Sequence, residues 1–237
     1  MYNLLIIHYF PIETEDKKMA DKKTALITGS YGGLGTCFVN IHASAGGNLI
    51  LVGRSQTKLD EQKAEVEEKY GVHADTIAAD LSKKDDVEKV YNTCKENGWQ
   101  VDYLINNAGF GGQGDFARER TMEQDMSMIA VNIECPTILC KLFLPDFINR
   151  GSGKVLNVSS TAAIMPGPLQ AVYYATKSYV TSWSNLLTSS LLFRQRKQMK
   201  IALYSETKTC CFHLSATTSQ CGIILSLNLQ RGYPILM

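Results

Sequence analysis

The chain has 237 residues, 45% of them hydrophobic and 20% charged, with a formal net charge of +1. That length suits one α/β domain with a sheet covered on both faces, and the near-neutral charge gives no footprint for nucleic acid or an anionic membrane. Seven cysteines, an odd number without metal-ligand spacing, read as reduced thiols, and no metal is expected. Met1 to Phe10 are apolar but far short of a membrane span, and they lack the basic start and cleavage site of a secretory signal. The expectation is a soluble cytoplasmic protein without a membrane partner. Residues 1–19 then form an extension ahead of the fold.

Apolar runs alternate with segments of helical period, the pattern of a doubly wound parallel sheet. Thr24 to Ile27 reads as the first strand, with a helix opening at Gly35. Asn48 to Gly53 is a second strand, apolar almost throughout as expected when both faces are covered. Lys58 to Tyr70 is a charged helix stopped by Gly71. A third strand spans His73 to Ala79, a helix Lys84 to Asn97, and a fourth strand Val101 to Ile105. After a long helical stretch, Lys154 to Val158 supplies the fifth strand. From Tyr173 onward, Val180, Trp183, Leu187 and Leu191 recur at three- and four-residue steps, marking an amphipathic helix.

The glycine-rich turn Thr28-Gly29-Ser30-Tyr31-Gly32-Gly33-Leu34-Gly35 follows a strand and begins a helix. In that context glycine lets the backbone turn sharply and approach a pyrophosphate, which the free N–H groups of the helix start then bind. An ordinary turn is the structural alternative. The second strand ends at Gly53-Arg54, where the adenosine ribose of a dinucleotide would lie. An acidic residue there would bind both ribose hydroxyls; Gly53 offers none, and the Arg54 guanidinium can fork onto a 2′-phosphate. NADP is therefore expected over NAD, unless Arg54 is merely a solvated loop residue. Asp80-Leu81 and Asn106-Asn107-Ala108-Gly109 stand at the carboxyl ends of the third and fourth strands, the ligand edge of open α/β sheets. Asp80 suits the adenine amino group or an ordinary helix cap. The asparagines suit a capped turn or a cofactor support.

Tyr-x-x-x-Lys occurs three times, at Tyr91/Lys95, Tyr173/Lys177 and Tyr204/Lys208, so the spacing alone says little. Only Tyr173 has a serine, Ser160, thirteen residues upstream at a strand end. Residues four apart on a helix lie side by side, and a cation beside a phenol favours the phenolate. Tyr173 can then protonate a developing alkoxide or deprotonate an alcohol, while Ser160 hydrogen-bonds the same oxygen. Asn132 is a polar group inside the long helical stretch, able to reach Lys177 through a water, or else a helix kink or cap.

Thr28-Gly-x-x-x-Gly33-x-Gly35, Asn106-Asn-Ala-Gly109, Asn132, Ser160, Tyr173 and Lys177 together resemble the motif set of the short-chain dehydrogenase/reductase family. Order and approximate spacing agree from residue 22 to about 187. The resemblance implies a single Rossmann-type doubly wound parallel sheet with helices on both faces, and NAD(P)-dependent oxidation or reduction. The expected cofactor contacts are Gly29, Ser30, Gly33, Leu34, Gly35, Arg54, Asp80, Leu81, Asn107, Ala108 and Gly109, besides Tyr173 and Lys177. The resemblance also implies a homodimer or homotetramer packed through helices near 136–150 and 172–192. Leu139, Leu142, Phe143 and Phe147 suit such an interface or the core equally.

The domain thus runs from 20 to 187, with residues 188–237 as an atypical C-terminal part. From Thr188 onward there are six Lys/Arg and one acidic residue, and no Pro-Gly follows the expected sixth strand, Lys200 to Tyr204. Gly222 to Leu227 reads as a seventh strand. Gly109 to Gly112 and Ala162 to Leu169 are expected to border an apolar pocket for a small carbonyl or alcohol substrate. The alternative is a catalytically idle dinucleotide-binding module whose tail leaves the pocket incomplete.

Overall fold

The computed structural model describes residues 22–165, 167–194, 201–202 and 224–229. Residues 1–19, the expected extension, lie outside them. Five parallel strands form the centre: β1 (Thr24–Thr28), β2 (Asn48–Gly53), β3 (Ala74–Ala78), β4 (Tyr103–Asn106) and β5 (Gly153–Val158). Between them run helices α1 (Gly33–Ser44), α2 (Gln56–Tyr70), α3 (Lys84–Glu96), α4 (Met122–Ile129) and α5 (Cys135–Arg150). Helix α6 (Ala171–Arg194) follows β5.

Local chemistry sets these boundaries. Ser55 caps α2 by accepting a hydrogen bond from the Lys58 amide, and Gly71 ends it in the left-handed conformation at φ 65°. Thr121 and Gln124 form a reciprocal capping box at the start of α4. Side chains then alternate across the sheet. Leu26, Ile50, Val52 and Leu104 pack with Val87 and Val90 of α3 and with Leu139, Phe143 and Phe147 of α5. Ala25, Ile27, Leu49 and Leu51 meet Phe38 and Val39 of α1 and Leu59 and Val66 of α2 on the other face. Each fully buried aliphatic side chain contributes about 1.5–3 kcal/mol, so this double burial holds the sheet between its two helical layers. Leu139, Phe143 and Phe147, which suited an interface in sequence, are committed to the chain's own core. The buried thiols of Cys94, Cys135 and Cys140 are each pushed up to about 12 by desolvation.

The strand order is β3-β2-β1-β4-β5-β7-β6. The expected sixth strand is present as β6 (Ile201–Ala202), and the seventh as β7 (Ile224–Leu229), two residues later than its sequence boundaries. Contrary to an all-parallel sheet, β7 lies beside β5 and runs antiparallel to it, with Val158 opposite Ile224. Strand β6 pairs antiparallel with β7 at the edge. Two strands paired antiparallel to one another must differ in direction, so only one of them can continue the parallel sense of β5.

Candidate active site

The carboxyl ends of β1, β4 and β5 meet α6 at one edge of the sheet, and the sequence-expected site residues gather there. Gly29 turns the chain at φ 64°, and its carbonyl accepts from the Gly32 amide at 3.1 Å. A Cβ on Gly35 would fall 2.1 Å from that carbonyl oxygen, whereas one on Gly33 would meet nothing within 4 Å. The first glycine is required by packing; the second faces open space at the start of α1. Leu34 is half-buried, and the buried Ser30 Oγ has no protein partner. Thr28 Oγ1 accepts from the amides of Asn107 and Ala108 at 3.0 Å, and Asn107 Nδ2 donates to the Thr28 and Gly29 carbonyls. Asn107 thus ties β4 to the glycine turn. Asn106 instead donates to Asn157 at 2.8 Å inside the sheet.

At the β2 end, Arg54 is exposed and Gly53 is covered by the ring of Tyr31, a residue the sequence reading passed over. Asp80 does not cap α3, whose N-cap is Lys83. Its Oδ1 accepts from the Ser82 amide and hydroxyl at 3.2 and 2.8 Å, and the Ser82 hydroxyl bond is the main cause holding the carboxyl below its usual range. The Leu81 side chain is buried in the core, so any ligand contact from it must be through the backbone.

Ser160 follows β5 and accepts from the Ala162 amide at 3.2 Å, starting a short helical turn over Thr161–Ala163. Tyr173 and Lys177 lie one turn apart on α6, with the Lys177 Nζ 5.9 Å from the tyrosine ring centroid. Lys177 is only 5% exposed and donates to the Val158 carbonyl at 3.0 Å. No carboxylate pairs with it among the described residues, and desolvation pulls it down to about 8. A Cβ on Gly109 would sit 3.1 Å from Asn132 Oδ1 and 3.2 Å from Lys177 Nζ, so glycine keeps both groups close.

Asn132 occupies a widened π turn, Ala130–Glu134, between α4 and α5. Its amide donates to the Phe110 carbonyl and Thr176 Oγ1, each at 3.0 Å, and its oxygen accepts from the Phe110 amide at 3.1 Å. These are more contacts than a simple kink requires, and π turns recur at functional sites. The residue fastens the loop after β4 to α6. Gly111 of that loop packs on the Tyr173 ring, Gly112 lies against Arg120, and Arg120 Nε pairs with Asp125 at 2.7 Å. Gly114, two residues past the first segment expected to border a pocket, donates to the carbonyl of Leu169 at the end of the second, at 2.9 Å. Phe110, Ile164, Met165 and Leu169 there are exposed apolar side chains.

Of the other Tyr-x-x-x-Lys pairs, Tyr91 and Lys95 both bind Asp146 of α5, and Tyr204/Lys208 lie outside the described residues. A cleft of about 350 Å³ between α3 and α5 sits at the opposite, amino end of β4. No metal-binding cluster of His, Cys, Asp or Glu occurs among the described residues.

The family profile for short chain dehydrogenases matches residues 23–203. The chain belongs to the short-chain dehydrogenase family. A very-long-chain 3-oxoacyl-CoA reductase from Phaeosphaeria nodorum is 36% identical over 172 residues, 70% of this chain and 50% of the relative. The human protein of that name is 32% identical over 166 residues, 69% and 53% of the two chains. A short-chain dehydrogenase from Sphingobium yanoikuyae, solved in complex with NADPH, superposes with a TM-score of 0.68 at 31% identity, over 71% of this chain and 66% of its own. The chain spans about half the length of the curated relatives it matches. The likeness to very-long-chain 3-oxoacyl-CoA reductases overturns the cytoplasmic expectation. The continuous helix from Met122 to Arg150 is long and apolar enough to cross a membrane, although here it is the core helix that carries Asn132.

The glycine turn fits the family's dinucleotide. It leaves open room over Gly33 and has an orphaned Ser30 Oγ.

Proposed function

We propose that the chain transfers a hydride between NADP(H) and a carbonyl or secondary-alcohol substrate, with Tyr173 as the acid–base group. The observation that carries this reading is the buried ammonium of Lys177, without a carboxylate partner among the described residues, one turn from Tyr173 and bonded to the last carbonyl of β5. A fold does not keep an uncompensated cation inside for stability; strongly perturbed lysines of this kind mark functional sites. When bound, the dinucleotide supplies or accepts the hydride at the substrate carbon. The chain does the rest. Tyr173 gives a proton to the developing alkoxide or takes one from the alcohol, beside the Lys177 cation. Ser160 hydrogen-bonds the same oxygen and orients the carbonyl. Asn132 holds the Phe110 loop and the α6 helix in register, positioning the pair.

The substrate we infer is a 3-oxoacyl thioester or similar ketone with a long apolar chain. The names of the relatives support this, as do the exposed apolar residues Phe110, Ile164, Met165 and Leu169 in the loops that follow β4 and β5. Arg54 and the absence of an acid at Gly53 support NADP(H), the cofactor bound in the solved relative. Purified chain with NADPH and a graded series of 3-oxoacyl thioesters tests the proposal. Chain-length-dependent loss of NADPH absorbance, abolished in Tyr173→Phe, is the expected result; tight NADPH binding without turnover of any ketone would overturn it.

A further inference from the structure

Tyr31 sits inside the glycine turn, yet its side chain reaches across to the end of β2. Its hydroxyl oxygen accepts from the Arg54 amide at 2.9 Å and from the Ser55 amide at 3.0 Å. A phenol oxygen has room for two such donors and carries one proton of its own. With both acceptor positions taken, that proton is what Tyr31 has left to give, and two incoming donors polarise it further. The ring settles a second matter. A Cβ on Gly53 would lie 2.4 Å from Tyr31 Cε1 and 3.0 Å from Cζ, although Gly53 has no left-handed φ that would call for glycine. The ring therefore fills the space that an acidic side chain at position 53 would need. The same corner carries the exposed Arg54 and, with its Nζ 5.7 Å from the Tyr31 ring centroid, Lys58 of α2.

We propose that Tyr31 is a specificity-determining residue that selects the 2′-phosphate of the dinucleotide, by donating its hydroxyl proton to that phosphate and by excluding a carboxylate from position 53. This rests on the NADP(H) reading above. A hydrogen bond to an anion is about twice as strong as one to a neutral hydroxyl, so the donor discriminates phosphate from the bare ribose. Exclusion works in the same direction, because the carboxylate that would reward unphosphorylated ribose has nowhere to stand.

Calorimetric titration of the full chain with NADPH, NADH, 2′,5′-ADP and 5′-AMP separates the possibilities without any turnover. Tyr31→Phe is expected to weaken NADPH and 2′,5′-ADP about tenfold while leaving NADH and 5′-AMP within about twofold. The double variant Tyr31→Ala/Gly53→Asp is expected to prefer NADH, and it keeps the test informative if the single variant loosens the turn. Equal losses for phosphorylated and unphosphorylated ligands in Tyr31→Phe, or no loss, or a gain for NADPH, would each overturn the role given to the hydroxyl. A double variant still favouring NADPH would overturn the exclusion. The parent reading fails separately, by its own readout: wild-type chain binding NADH at least as tightly as NADPH.

Discussion

Two helices of this molecule carry the same Tyr-x-x-x-Lys spacing and put it to opposite uses. On α3, the Lys95 side chain is 56% exposed and its ammonium finds Asp146 at 3.2 Å, while Tyr91 binds the same carboxylate and stacks edge-on against Phe143. Every polar group of that pair is answered, and the arrangement joins α3 to α5. On α6, Lys177 is sunk beneath the loop after β4 and donates to the Val158 carbonyl, with no carboxylate to balance it among the described residues. The spacing is identical. Burial and counter-charge separate the pair that serves as a strut from the pair proposed as the acid–base centre.

Substitutions on the two helices sharpen this contrast. The largest effect is expected at Tyr173. Tyr173→Phe should lower kcat for ketone reduction by about a thousandfold, within the range of a lost general acid, whereas Tyr91→Phe should leave kcat within about twofold. Steady-state rates on both variants check this, and equal losses would erase the distinction. Lys177→Met should cost about a hundredfold in kcat, against no change for Lys95→Met.

The pH dependence follows from the same cation. Lys177 is protonated below about 8 and neutral above it, so kcat/KM for reduction should fall as pH rises through about 8. Stability should move the other way. Between about 8 and the ordinary lysine value of 10.5, the unfolded chain binds the proton that the folded chain has lost, so this group raises the unfolding free energy as pH increases across that window. Urea titrations at several pH values, compared between wild type and Lys177→Met, isolate the slope; its persistence in the variant would assign it elsewhere. The smallest effect is the exposed pair: Asp146→Asn should cost no more than about 1 kcal/mol, read from the same urea midpoints.

Much of this was legible in the sequence because strand ends and helix starts announce themselves. Thr28 to Gly35, Ser160 and the Tyr173/Lys177 pair stand where strand–turn–helix logic put them, and Leu26, Ile50 and Leu104 alternate into the core as apolar strand residues must. Other features had no local signature. Tyr31 occupies a variable place in the glycine pattern, and its reach to Arg54 depends on how β1 and β2 pair. The Arg120–Asp125 pair and the Gly114–Leu169 bond join segments whose proximity only the fold creates. Strand direction was equally invisible: nothing in the apolar run around Ile224 distinguishes a parallel neighbour of β5 from an antiparallel one. The cytoplasmic expectation rested on near-neutral charge and a short apolar start, neither of which reports where a protein resides, and the likeness to the curated relatives overturned it.

The buried sulfurs carry a practical corollary. Cys94 of α3 and Cys135 and Cys140 of α5 are sealed and held in the unreactive protonated state, so a thiol-directed label can reach them only when that layer parts from the sheet. Their alkylation rate is thus a clock for breathing of the α3–α5 layer. The molecule contains its own reporter of how often the scaffold beneath Asn132 comes open, and a ligand that clasps the Phe110 loop should slow that clock.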